Sequence, residues 1–126
     1  VVYYNDSKGT NTDASIKAIK AMSRPTLLIA GGYDKNSPYD DFIENFDGKI
    51  KELVLIGATA EKIKACALEH GFTNIKMADS LEEAVSICKA DSENGDAVLL
   101  SPACASWDMF KSYEQRGRLF KDLVKG

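Results

Sequence analysis

The chain has 126 residues, 44% of them hydrophobic, which is enough to bury one core and too few for two ordinary domains. Its 16 basic and 19 acidic residues are dispersed and leave a net charge of −3, so no basic stripe exists to follow a phosphate backbone and nucleic acid is excluded as an expected partner. No apolar stretch approaches the roughly 20 residues of a membrane helix, so no membrane partner is expected either.

The first predicted strand spans residues 1–4. It opens inside an apolar run, Val1-Val2-Tyr3-Tyr4, with no initiator Met, and so reads as a piece cut from a longer chain at a domain boundary. A helix over 14–22 follows, with Ile16, Ile19 and Met22 at helical spacing. Residues 26–30 predict the next strand, 40–46 a short helix, and 52–56 another strand. The helix at 59–70 sets Ile63, Cys66 and Ala67 on one face and stops at Gly71. A strand at 74–77 leads to a helix at 81–90, where Ser80 and Glu83 make a capping box. A strand at 96–100 and a helix at 107–124 complete the series. The runs Leu27-Leu28-Ile29-Ala30 and Leu53-Val54-Leu55-Ile56 are continuously apolar, as parallel strands covered on both faces must be. Strand and helix alternate. The expectation is therefore a doubly wound α/β fold: a mostly parallel sheet of about six strands with helices on both faces, residues 1–126 forming one domain. A monomer is expected.

Cys66, Cys88 and Cys104 are odd in number and lack C-x-x-C spacing, which fits a reducing compartment, the cytoplasm. His70 is the only histidine, so a zinc site would need an unusual ligand set, and no metal ligands are assigned. Cys104 reads as a buried structural cysteine rather than a nucleophile, because His70 lies at the far end of a different helix. Cys66 and Cys88, on helix core faces, read as structural too.

Ligands of doubly wound sheets sit beyond the carboxyl ends of the strands. Three loops there hold the unusual residues: 5–11, 31–37 and 101–106. In the first, Lys8 precedes a helix whose free amides attract an anion, or else Thr10, Asn11 or Thr12 simply caps that helix. In the second, Gly31-Gly32 permits close backbone approach beside Lys35, or forms a plain turn. In the third, Ser106 can cap a helix, hold a carboxylate, or do both. There is no G-x-x-x-x-G-K-[ST] loop and no G-x-G-x-x-G fingerprint, so the chain is by motif neither a self-sufficient ATPase nor a dinucleotide binder. The residues alone thus point to a small, multiply charged acid. They do not name it.

The loop Asn5-Asp6-Ser7-Lys8-Gly9-Thr10-Asn11, the loop Gly31-Gly32-Tyr33-Asp34-Lys35, and the run from Leu99 through Ser101-Pro102-Ala103-Cys104-Ala105-Ser106-Trp107-Asp108 to Tyr113-Glu114-Gln115-Arg116-Gly117 resemble the third domain of the Mur ligase family, on its D-glutamate-adding branch. The resemblance covers essentially the whole chain. It implies a soluble enzyme of cell-wall peptidoglycan synthesis that couples ATP cleavage, with Mg2+, to amide formation between UDP-N-acetylmuramoyl-L-alanine and D-glutamate. The UDP-binding and ATP-cleaving domains are expected outside this chain, which alone would be inactive and hold no tightly bound cofactor. By the same resemblance Lys8 and Lys35 would meet the acid near the reaction centre, and Thr10 with Lys35 would bind its α-carboxylate. Ser106 would hold its side-chain carboxylate with backbone amides near Trp107 and Tyr113, and Asp6 would accept hydrogen bonds from the ATP ribose; no residue is assigned as catalytic. Two positions depart from the pattern: Gly9 stands where alanine is frequent, and Trp107 where a smaller apolar residue is common. The D-N-P-R run of diaminopimelate-adding relatives is absent. Other readings are an amide ligase of the folylpolyglutamate type, a non-catalytic anion-binding module, and a flavodoxin-like interaction protein.

Overall fold

In the computed structural model, residues 1–6, 11–32, 38–46, 48–103 and 112–125 are described, Tyr113 by its backbone alone. Their strands are β1 (Val2–Asn5), β2 (Thr26–Ala30), β3 (Ile50–Leu55), β4 (Ile75–Met77) and β5 (Ala97–Leu100). The helices are α1 (Thr12–Lys20), α2 (Asp40–Glu44), α3 (Ala60–Glu69), α4 (Leu81–Asp91) and α5 (Tyr113–Lys125). The sheet is parallel throughout, in the order β1-β5-β2-β3-β4. It thus has five strands among the described residues, each grown from one of the five apolar runs, where about six were expected.

Because side chains alternate across a strand, the sheet presents two apolar faces. Leu28, Ala30, Leu53, Leu55 and Leu99 face one way, against Ile19 of α1, Met22 just beyond it, Phe42 and Ile43 of α2, and Ile63 and Ala67 of α3. Leu27, Ile29, Val54, Val98 and Leu100 face the other, against Leu81, Ala84, Val85 and Cys88 of α4 and Phe120 of α5. The chain runs from β1 outward to β4 with helices on the first face, then returns on the second face to insert β5 between β1 and β2. That reversal sets the connections after β1 and β2 on one side of the sheet and the one after β5 on the other. A crevice opens between them at the carboxyl ends.

Local chemistry fixes the helix ends. Asn11 Oδ1 accepts from the Ala14 amide at 2.9 Å, so Asn11 is the cap of α1 among the three residues the sequence offered. Ser80 Oγ accepts from the Glu83 amide at 3.1 Å, while the Glu83 carboxylate returns to the Asp79 amide at 3.3 Å, one residue earlier than a strict capping box. Helix α3 ends in a Schellman turn: Gly71 has φ +82°, and the Gly71 and Phe72 amides donate to the Leu68 and Ala67 carbonyls. The last helix differs from the expectation of a start at Trp107. Ser112 is not helical, and its Oγ accepts from the Gln115 amide at 3.2 Å, so α5 begins at Tyr113 with Ser112 as its cap.

Candidate functional site

Three strand ends are tied into one rim. The Asp6 amide donates to the Leu100 carbonyl at 2.7 Å, the Ser101 amide to Ile29 at 3.2 Å, and the Gly31 amide to Pro102 at 2.9 Å. Beneath the rim, Ser101 Oγ donates to Asp6 Oδ2 at 2.7 Å and lies 2.8 Å from Ser15 Oγ. Since a hydroxyl has a single proton, Ser101 gives its own to the carboxylate and accepts from Ser15, whose Oγ is also 3.2 Å from the Ser101 carbonyl. Ser15 and Ser101 are fully buried, and Asp6 is half-buried. The β1 end, the β5 end and α1 therefore share one hydrogen-bonded network built on a carboxylate.

On the other side of β5, Gly31 has φ +112°, and a Cβ there would stand 2.0 Å from the Ile56 carbonyl oxygen. Only glycine lets β2 leave the sheet so close to β3. Gly32 donates its amide to Thr59 Oγ1 at 3.0 Å and accepts from the Thr59 amide at 3.2 Å. Thr59 stands at the cap position of α3, yet its hydroxyl is turned to the glycine loop and makes no cap bond to its own helix. Ala103, buried just past β5, is left-handed at φ +62°, a conformation that costs a non-glycine residue about 1 kcal/mol. From the far side Asn5 Nδ2 donates to the Gly117 carbonyl at 3.0 Å and moors α5 to the end of β1.

Of the residues assigned from sequence, Asp6 lies in this rim. Tyr113 opens α5, with its backbone alone described. Lys8, Thr10, Lys35, Ser106, Trp107 and the cysteine Cys104 lie outside the described residues. Their described neighbours in sequence, Asp6, Gly32 and Ala103, all stand at this one edge. The sequence reading missed Ser15, Ser101 and Thr59. A small hydroxyl residue beside apolar ones gives no periodic signal, and only the topology shows what it meets.

Both described thiols are pushed toward their protonated form. Burial pushes the Cys88 thiol up to about 12. Desolvation and then the charge of Asp40 push that of Cys66 to about 11. A cavity of about 390 Å3 lined by Met22, Arg24, Pro25 and Lys49 sits at the opposite, amino-terminal end of β2 and β3 and has no part in the rim. Each amide named in the rim is paired within it, so these polar groups fix the strand ends to one another.

Residues 1–104 match the family model for the glutamate ligase domain of Mur ligases. The chain belongs to that family. This Mur ligase domain is 60% identical over 124 residues to a UDP-N-acetylmuramoylalanine–D-glutamate ligase of Lachnospira eligens, covering 98% of the chain and 28% of the relative. It is 61% identical to one of Lachnoclostridium phytofermentans, covering 98% and 27%, and 58% identical to one of Caldanaerobacter subterraneus, covering 98% and 28%. The Mur ligase domain thus spans little more than a quarter of those relatives' length. Among solved structures it is similar to E. coli FolC in complex with ADP, with TM-score 0.58 and 21% identity over 94% of this chain and 28% of that one. It is also similar to a folylpolyglutamate synthase from Thermotoga maritima, with TM-score 0.53 and 13% identity over 74% and 23%. At such identities the likeness is one of fold. No described helix is long and apolar enough to cross a membrane.

Proposed function

We propose that residues 1–126 are the acceptor-binding domain of a cytoplasmic ATP-dependent ligase that adds D-glutamate to UDP-N-acetylmuramoyl-L-alanine in peptidoglycan synthesis. The observation that supports this most is identity of up to 61%, across nearly the whole chain, to ligases named for that product. In this reading other domains hold the UDP-sugar, the phosphates of ATP and Mg2+. The alanyl carboxylate is activated as an acyl phosphate, the D-glutamate amine attacks it, and phosphate leaves.

This domain contributes position. Lys8, Thr10 and Lys35 meet the amino acid near the reaction centre, while Ser106 and the amides at Trp107 and Tyr113 take its side-chain carboxylate. Asp6 faces the ATP ribose. Its chemistry fits: a carboxylate has about four lone-pair sites, and the bond from Ser101 uses one of them. Fixing an amine at attack distance replaces a bimolecular encounter, worth on the order of 7 kcal/mol or more in ideal cases. Two carboxylate sites give selectivity, because an analogue lacking one leaves donors unpaired.

The test is steady-state kinetics of the full-length enzyme. Lys35→Ala and Ser106→Ala should each raise KM for D-glutamate roughly ten- to hundredfold, the worth of a hydrogen bond to a charged group. Unchanged D-glutamate kinetics in both variants would remove the assignment. Phosphate release compared across D-glutamate, L-glutamate and diaminopimelate should be fastest with the first. The isolated chain should show no ATP turnover and no D-glutamate binding by calorimetry.

A further inference from the structure

On the face of the sheet covered by α1, α2 and α3, away from the rim, two short sequence spacings meet. Cys66 and His70 are four apart at the end of α3, and Asp40 and Glu44 are four apart on α2, so each pair lies on one side of its helix. The packing of α2 on α3 brings the pairs together. Asp40 Oδ1 lies 2.9 Å from His70 Nε2 and 3.6 Å from Cys66 Sγ, and the three ligand atoms all fall within 4.8 Å of one another. Glu44 Oε1 stands 4.0 Å from the other ring nitrogen, Nδ1.

We propose that Asp40, Cys66 and His70 form a binding site for a divalent ion of the zinc class, with water as fourth ligand, clamping α2 to α3. Tetrahedral zinc with bonds of about 2.0–2.3 Å sets its ligand atoms about 3.2–3.7 Å apart, within a few tenths of an ångström of the two separations from Asp40 Oδ1. A thiolate, an imidazole and one carboxylate favour zinc and its cobalt surrogate over magnesium or calcium, which take oxygen ligands. Glu44, 4.0 Å from the second ring nitrogen, adds a further negative charge beside the cluster without a hydrogen bond to the ring. The surroundings are anionic: Asp40, Glu44 and Glu69 all act on Cys66 and His70. Asp40 and Glu44 are exposed, so an ion has a way in.

A Cys-His-Asp nucleophile is the competing arrangement, and the order of contacts excludes it. Cys66 and His70 both bond to Asp40, so the carboxylate, not the imidazole, stands next to the thiol. Metal entry breaks the S–H bond, forms the S–metal bond and releases the proton to solvent.

The experiment is titration of the reduced, metal-free 126-residue chain with Co2+, followed by absorption. The expected result is one ion per chain with a thiolate-to-cobalt charge-transfer band and tetrahedral visible bands, displaced by Zn2+. The band should vanish in Cys66→Ser and in His70→Gln. Far-ultraviolet dichroism confirms that the variants fold. No charge-transfer band in the unsubstituted chain overturns the proposal, as does a band that survives Cys66→Ser or His70→Gln.

Discussion

Asp6 ends β1 and Ser101 follows β5, and neither residue accounts for itself alone. The carboxylate is held half-buried because a buried hydroxyl donates to it, and that hydroxyl is oriented by Ser15 from α1. Ser101→Ala should therefore leave both partners wanting and lower stability by about 1–3 kcal/mol in urea denaturation. A loss near zero would mean that water replaces the hydroxyl at no cost. Gly31→Ala is a harsher change, since it combines positive φ with a Cβ 2.0 Å from a carbonyl oxygen. At least about 2 kcal/mol should be lost, and a variant with an unchanged unfolding midpoint would show that β2 can leave the sheet another way. At this scale Gly31 was legible because a Gly-Gly pair after an apolar strand permits positive φ, and Asp6 because its loop resembles the family's. Ser15, Ser101 and Thr59 were not, and neither was the meeting of Asp40 with His70. Each depends on a partner brought from another element, and His70 read in isolation suggested only that zinc would lack ligands.

The helices were legible wherever the apolar stripe and the cap agree. Ser80 caps α4 as its spacing with Glu83 implied, so Ser80→Ala should cost about 1 kcal/mol in chemical denaturation, against a few tenths for Ser80→Gly. Gly71 ends α3 because a left-handed residue is needed for the Ala67 carbonyl to receive the Phe72 amide. The start of α5 was not legible, since Trp107 continues an apolar pattern that a periodicity argument cannot break. Ser112, a better cap than its neighbours, decides the boundary. Strands gave the clearest signal. Continuous apolar runs such as Thr26–Ala30 are buried on both faces and have no alternation to confuse.

Across the whole molecule, the amino-terminal edge of the sheet is held by charge. Lys51 Nζ donates to Asp96 Oδ2 at 2.7 Å, and the Glu93 amide donates to the same oxygen at 2.8 Å. The bond from Lys51, then that from the Glu93 amide, holds the Asp96 carboxyl below the usual carboxylate range. A depressed folded-state value means stability that is present above the ordinary carboxylate pKa and is lost as pH falls through the lowered one. Unfolding measured along a pH series should show this acid-side decline, and Asp96→Asn should flatten it while lowering stability at neutral pH. An identical slope in the variant would assign the decline to other carboxylates. The alternation of strand and helix made the layered architecture and the carboxyl-end rim legible. It left the strand order open, because the placement of β5 between β1 and β2 rests on long-range pairing that no local pattern encodes.

That placement bears on how the chain comes to be folded. Strand β1 pairs with β5 and with no other described strand, so Val2 waits for Ala97. A ribosome delivers the first strand early and its partner late, and in between Val1, Val2 and Tyr4 form an unpaired apolar ribbon able to join a neighbouring chain. Premature termination ahead of Ala97 would strand that ribbon permanently.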